Sequence, residues 1–200
     1  MKKQKEKKQK FKILHDEIVF NGKFIKTIRR HFLDRAGHKI FWEMVERKLG
    51  GRNGKKKRIV AIAAITPKRE IVLEKCFRVP LKDYTIELPA GLMDKPGESE
   101  KSAIRRELLE ETGYAVSKVE LLTAGPFNSG LTSDKLAIYL GTNARKIAEP
   151  KLECSEDIET ILVPISKLLS FIKKNRRRGV EVDLKLPSIL PFLSESGLSV

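Results

Sequence analysis

Residues 99–114, SEKSAIRRELLEETGY, constrain the chain most, because they read as one helix with both ends marked. Ser99 is an N-cap residue, and Gly113 follows Thr112 where a helix turns left-handed to stop. Inside that helix Glu107, Glu110 and Glu111 stand at i, i+3 and i+4, so their carboxylates share a face. Three like charges on one face repel, which destabilises the helix unless cations sit among them. Arg106, one turn before Glu110, neutralises part of this charge. A hard divalent cation suits the remainder: Mg²⁺ takes one or two carboxylates and completes its shell with waters and phosphate oxygens. A cation held there polarises a phosphoryl oxygen and acidifies a water for in-line attack on phosphorus. On spacing alone, a surface helix whose Glu and Arg residues pair along its exterior fits equally well, so the flanking sequence must decide.

Around this helix the chain reads mainly as strands. Three short ones, FKILHDEIVF, KFIKTIRRHFLD and HKIFWEMVER, are separated by turns at Asn21-Gly22 and Ala36-Gly37, as in hairpins. GGRNGKKK, residues 50–57, is a loop. IVAIAAIT (59–66) and EIVLEKCFRV (70–79) follow, joined at Pro67-Lys68-Arg69, and the apolar density of the first predicts burial on both faces. Tyr84–Leu88 is a strand closed by Pro89-Ala90-Gly91. Further strands are expected near 115–124, 135–142 and 158–163, then a helix over 164–174 and a last one starting near Pro187. Strands and helices mix without regular alternation, which favours an α+β domain with a mixed sheet packed between helices. The expected organisation is a disordered basic tail (1–10), an N-terminal β subdomain (11–56) and a catalytic domain (57–200).

The formal charge of +15 invites a polyanionic partner. Its distribution argues otherwise. MKKQKEKKQKFK holds seven lysines against one glutamate, and two further blocks are Arg52, Lys55, Lys56, Lys57, Arg58 and Lys173, Lys174, Arg176, Arg177, Arg178. Apart from Phe11 no aromatic residue is interleaved, so solvated tail and loops are favoured over nucleic-acid binding. Two distant cysteines, Cys76 and Cys154, supply neither a disulfide framework nor a zinc site, and a reducing cytoplasm is the expected setting. The basic start is followed by charge-interrupted sequence rather than an apolar h-region, and the longest apolar run, 59–65, is too short to span a bilayer. No membrane association is expected.

The segment GLMDKPGESEKSAIRRELLEETGY, 91–114, resembles the signature box of the Nudix hydrolases: Gly, five residues, Glu, seven residues, then Arg-Glu-apolar-x-Glu-Glu-x-Gly-apolar. Gly91, Glu98, Arg106, Glu107, Leu108, Glu110, Glu111, Gly113 and Tyr114 fill it. Six residues rather than five separate Gly91 from Glu98, an insertion in the Asp94–Gly97 turn that leaves the helical spacing intact. The resemblance implies the Nudix α/β/α sandwich and a Mg²⁺ cofactor, with Mn²⁺ as a substitute. It implies Glu107, Glu111 and the Ala90 carbonyl as metal ligands, and Glu110 as an additional or supporting one. Gly91, Glu98, Arg106 and Gly113 then hold the loop and helix, Arg106 close to the catalytic groups.

Flanking segments are similar to the ADP-ribose and ADP-sugar pyrophosphatases of that family. FRVPLKDYTIELPAG (77–91) implies Arg78 as a diphosphate contact, with Cys76 where the family has Gln. FWEMVERK implies Trp42 as a stacking platform for adenine, with Glu43 and Arg47 holding the nucleotide. In FNSGLTSDK (127–135) Ser129 replaces the proline associated with ADP-ribose. LECSEDIETILVPISKL (152–168) implies Glu156, with Glu153 in reserve, as the acid handling the attacking water. The implied reaction is ADP-ribose plus water to AMP and ribose 5-phosphate, in a homodimer built through the N-terminal strands. Alternatives are another nucleotide-sugar, a dinucleotide or an RNA 5′-triphosphate as substrate, or a non-catalytic nucleic-acid-binding protein on the same scaffold.

Overall fold

The computed structural model describes residues 10–48, 58–93, 95 and 97–198. The basic tail, the loop at 50–57 and, in the inserted turn, Asp94 and Pro96 lie outside them. The chain forms two compact units: residues 1–56 with 126–134, and residues 57–125 with 135–200. The segment 126–134 thus leaves the second unit to join the first.

The first unit is a three-stranded antiparallel sheet: β1 (Lys12–Asn21), β2 (Ile25–Leu33) and β3 (Lys39–Arg47), in that order. Asp34 shapes the β2–β3 turn by accepting the backbone N–H groups of Ala36 and His38 at 2.8 and 2.9 Å, and Gly37 takes the positive φ. The 126–134 segment is fastened to β3, where Val45 N–H donates to the Leu131 carbonyl at 2.8 Å.

The second unit contains β4 (Ile59–Ile65), β5 (Glu70–Arg78), β6 (Asp83–Glu87), β7 (Ala90–Leu92), α1 (Glu100–Thr112), β8 (Tyr114–Ala115), β9 (Lys118–Pro126), β10 (Lys135–Thr142), β11 (Arg145–Lys146), β12 (Ile158–Pro164), α2 (Leu168–Arg177), β13 (Glu181–Val182), α3 (Lys185–Ser188) and α4 (Leu190–Glu195). The main sheet runs β13-β6-β5-β4-β10-β9, with β12 added to β5 and β7 to β4. It is mixed: β4 is parallel to β10, while β5 is antiparallel to β4, β6 and β12. β4 is buried along Val60–Ile65, as its apolar density predicts. Successive strand residues face opposite sides, and this divides the core. Val60, Ile62 and Ala64 pack with Ala103, Ile104 and Leu108 of α1. Ala61, Ala63 and Ile65 pack with Leu168 and Ile172 of α2 and with Leu186, Ile189 and Leu193. The result is the expected α/β/α sandwich of an α+β protein.

Three local expectations change. Ala90–Leu92 is a strand rather than only a turn, because Gly91 pairs with Val60 on β4. The helix read over 164–174 begins as a tight single turn, Ile165–Lys167, and its α-helical part extends to Arg177. The last helix is two short ones that break at Ile189, and Pro191 sits at the start of the second, where its missing N–H is tolerated.

The register also shows a fork. β4 pairs with β5 only at Ala64↔Val72 and Ile65↔Ile71, whereas from Glu74 onward that edge of β5 pairs with β6. Along β4 the vacated edge is taken by β7 at Ile59–Ala61. The corner 87–90 therefore crosses where the sheet splits, and the Pro89 carbonyl accepts the Ile62 N–H at 3.0 Å.

Candidate active site

Helix α1 aims its acids at that corner. Ser99 Oγ accepts the Ser102 N–H at 3.1 Å, and Gly113, at φ 75°, donates to the Leu109 carbonyl. Burial of Ala103, Ile104 and Leu108 fixes the rotation of the helix, which sends Glu111 inward to 8 % exposure. Its Oε2 accepts the Ala90 N–H at 3.3 Å. The carboxylate of Glu107 lies against Gly91, where any Cβ would collide with it. The structure thus brings Ala90, Gly91, Glu107 and Glu111 together.

Arg106 binds the outer acids. Its Nε and one terminal nitrogen reach both oxygens of Glu98 at 3.0 and 3.1 Å, and the other terminal nitrogen reaches Glu107 at 2.9 Å and Glu110 at 3.0 Å. The Glu98 hydrogen bond, ahead of those to Glu110 and the charge of Glu107, drives its pKa further upward. Arg106 therefore stays cationic and clamps loop to helix. Glu110 is the most exposed of these acids and also lies 3.8 Å from Lys95.

Beneath α1, Glu74 of β5 is 1 % exposed and faces Glu111 within hydrogen-bonding reach. Burial raises the pKa of both carboxyls, and the nearby charges of Glu74, Glu107 and Glu156 raise Glu111 further. Glu156 is close enough for both to sense its charge. Glu156 is held by its own loop, its Oε2 accepting the Glu153 N–H at 2.8 Å. Sequence reasoning passed over Glu74. The available signal was an acid at the period-two position of Val72 and Cys76, in a strand with apolar neighbours.

Arg78 forms a two-pronged pair with Glu87, Nε at 2.6 Å and a terminal nitrogen at 2.8 Å. Those hydrogen bonds raise its pKa further and lock its orientation. Cys76, opposite Thr85 on β6, is an inert thiol whose pKa burial pushes up to about 11.

Among the described residues, no three acidic, histidine or cysteine side chains enclose an ion as they stand. The donors nevertheless fit a hard cation. They are carboxylate oxygens, and Oε1 of Glu74 is buried without a hydrogen-bond partner. Mg²⁺ needs only one or two such carboxylates, because waters and substrate phosphates supply the rest.

The remaining predicted residues lie in the first unit. Trp42 is 55 % exposed, and its indole N–H donates to the Gly130 carbonyl at 2.8 Å. Glu43 pairs with Arg29 at 3.0 Å, and Arg47 pairs with Asp134 at 3.1 Å. Strand alternation sends Trp42 to the opposite face of β3 from Glu43 and Arg47.

Residues 55–182 match the model of the NUDIX domain. The chain belongs to the Nudix family and is a hydrolase of that family. Its likeness within the family is to ADP-sugar pyrophosphatases: it is 31 % identical over 167 residues to the ADP-sugar pyrophosphatase of Mus musculus, covering 79 % of this chain and 75 % of the relative. It is 33 % identical over 184 residues to nudix hydrolase 2 of Caenorhabditis elegans, covering 88 % and 82 %. The fold matches a solved ADP compounds hydrolase at a TM-score of 0.74 and 21 % identity, over 94 % of this chain and 97 % of the other.

Proposed function

We propose that this chain is a Mg²⁺-dependent pyrophosphatase that hydrolyses ADP-ribose to AMP and ribose 5-phosphate, with Mn²⁺ able to replace Mg²⁺. The observation that carries the reading is the placement of Glu107 and Glu111 against Gly91 and Ala90, with Glu156 nearby. Glu107, Glu111 and the Ala90 carbonyl would hold the cation, with Glu110 in support. When bound, the cation polarises a phosphoryl oxygen and eases formation of hydroxide. Glu156 positions the attacking water and accepts its proton. Arg78 has five N–H donors, of which Glu87 uses two, so the others can meet diphosphate oxygens. Arg106 fixes the loop and helix through Glu98 and Glu110. Trp42 offers an exposed ring for base stacking, while Glu43 and Arg47, on the other face of β3, are nucleotide contacts on the resemblance alone.

We further propose a homodimer formed through the first unit, where all ten residues of β1 are exposed. A cytoplasmic location agrees with the two unpaired thiols, Cys76 and Cys154. No helix among the described residues is long and apolar enough to cross a membrane.

The test is AMP release with Mg²⁺ from ADP-ribose, beside other nucleotide-sugars, dinucleotides and 5′-triphosphate RNA. Turnover of ADP-ribose should lead the panel. Glu111→Gln should lower it by about 10²–10³-fold, since a Lewis acid contributes several kcal/mol and ~1.4 kcal/mol is tenfold. Preference for another compound would reassign the substrate, which the serine at 129 leaves open. RNA binding without turnover of any compound would favour a binding protein and refute the proposal.

A further inference from the structure

Glu74 is not explained by the box. It lies just past the point where β6 replaces β4 along β5, on the face of Val72 that packs toward α1. Its cross-strand neighbour Glu87 is engaged by Arg78 at 2.6 Å and Lys185 at 3.5 Å, and no ion pair reaches Glu74 among the described residues. Oε1 is buried with no hydrogen-bond partner, and the other acidic group it faces is the carboxyl of Glu111, which lies within hydrogen-bonding reach. Burying two ionised carboxylates side by side is unfavourable unless something positive joins them. An apolar residue would fill this strand position without that cost.

We propose that Glu74 is a further ligand of the divalent cation, forming with Glu111 a two-carboxylate floor at the fork of the sheet, with waters completing the shell. This rests on reading the box as a metal site. Two buried carboxylates match what Mg²⁺ or Mn²⁺ asks of a protein. Such a floor retains a cation before substrate arrives, whereas a cation held mainly by substrate phosphates binds only with substrate. The carboxylate of Glu74 therefore sets substrate-free metal affinity.

The experiment titrates Mn²⁺ into the full chain without substrate, following loss of the free-ion electron paramagnetic resonance signal. Wild type is compared with Glu74→Gln, Glu74→Val and Glu111→Gln, and Tm is recorded with Mg²⁺ and with a chelator. Both Glu74 variants should weaken Mn²⁺ binding by at least about tenfold, the scale on which removing even an outer partner of a metal ligand is felt. Their Tm in chelator should equal or exceed that of wild type, and the upward shift produced by Mg²⁺ should shrink. If both Glu74 variants bind Mn²⁺ like wild type while Glu111→Gln does not, Glu74 is no ligand and the box reading survives alone. Weak binding by Glu74→Val with normal binding by Glu74→Gln would make Glu74 a hydrogen-bonding prop, which overturns the proposal. So would a lower Tm in chelator for Glu74→Gln, because it marks a structural role. If wild type binds no Mn²⁺, or Glu111→Gln binds normally, the box reading fails and this proposal falls with it.

Discussion

A methyl group at Gly91 would overlap the Glu107 carboxylate. The obstacle is the far end of a flexible side chain rather than backbone, so the strand can accept alanine while the carboxylate is pushed aside. Replacing strand glycine by alanine is neutral to slightly stabilising, by about 0.4–1 kcal/mol where the backbone allows it. Gly91→Ala should therefore leave Tm unchanged or slightly raised while lowering Mn²⁺ affinity and kcat/KM by about 10–100-fold, the range for a displaced metal-site group. Thermal unfolding beside steady-state kinetics measures both. A variant with full activity would show that the Glu107 carboxylate is not needed where it stands.

The ends of α1 separate two kinds of helix stop. Ser99 caps the first turn through one hydrogen bond, and Ser99→Ala should cost about 1 kcal/mol. Gly113 combines φ 75° with a backbone neighbour, the Ala148 carbonyl, on which a Cβ would fall. That carbonyl cannot swing away as a side chain would, and left-handed backbone alone costs a non-glycine residue roughly 1–2 kcal/mol. Gly113→Ala should lose more than Ser99→Ala, by about 2 kcal/mol or more in urea unfolding. Equal losses would mean that the Ala148 segment yields. Both caps were legible in the sequence because each is a residue type demanded by local geometry, and the i, i+3, i+4 spacing of the glutamates needed only the helical period. β7 was not, since three residues beside a proline carry no periodicity and depend on β4 for their pairing. Glu74 was hidden for a related reason: an acid in a strand reveals its neighbour across the sheet only once the register is known. The pairing of Arg78 with Glu87 likewise depends on the β5–β6 register, which sets Glu87 opposite Glu74, on the face of the sheet that Arg78 shares, four residues along β5 from it.

At the scale of the whole molecule, the first unit has a surface that does not suit a solitary chain. β1 and the residue before it expose Phe11, Ile13, Ile18, Val19 and Phe20, and β1 pairs only with β2 among the described strands. Its acidic groups are already matched within the sheet, Asp16 with Arg30 at 2.7 Å and Glu17 with His31 at 3.0 Å. Among the described residues, what remains available for association is mostly apolar side chain and a strand edge with no partner strand, a combination prone to pairing with another chain. A second copy offers the same edge, and a two-fold contact lets identical surfaces meet. Because the attraction is apolar and the ion pairs are internal, raising the salt should not dissolve it. Sedimentation equilibrium should therefore show a dimer in dilute buffer that persists at about 1 M salt, well beyond the range where exposed charges act. Ile18→Lys with Phe20→Lys should give monomers of unchanged far-ultraviolet dichroism. A monomeric wild type, or a dimer that dissociates as salt rises, would move the interface away from β1 and toward the charged surface instead.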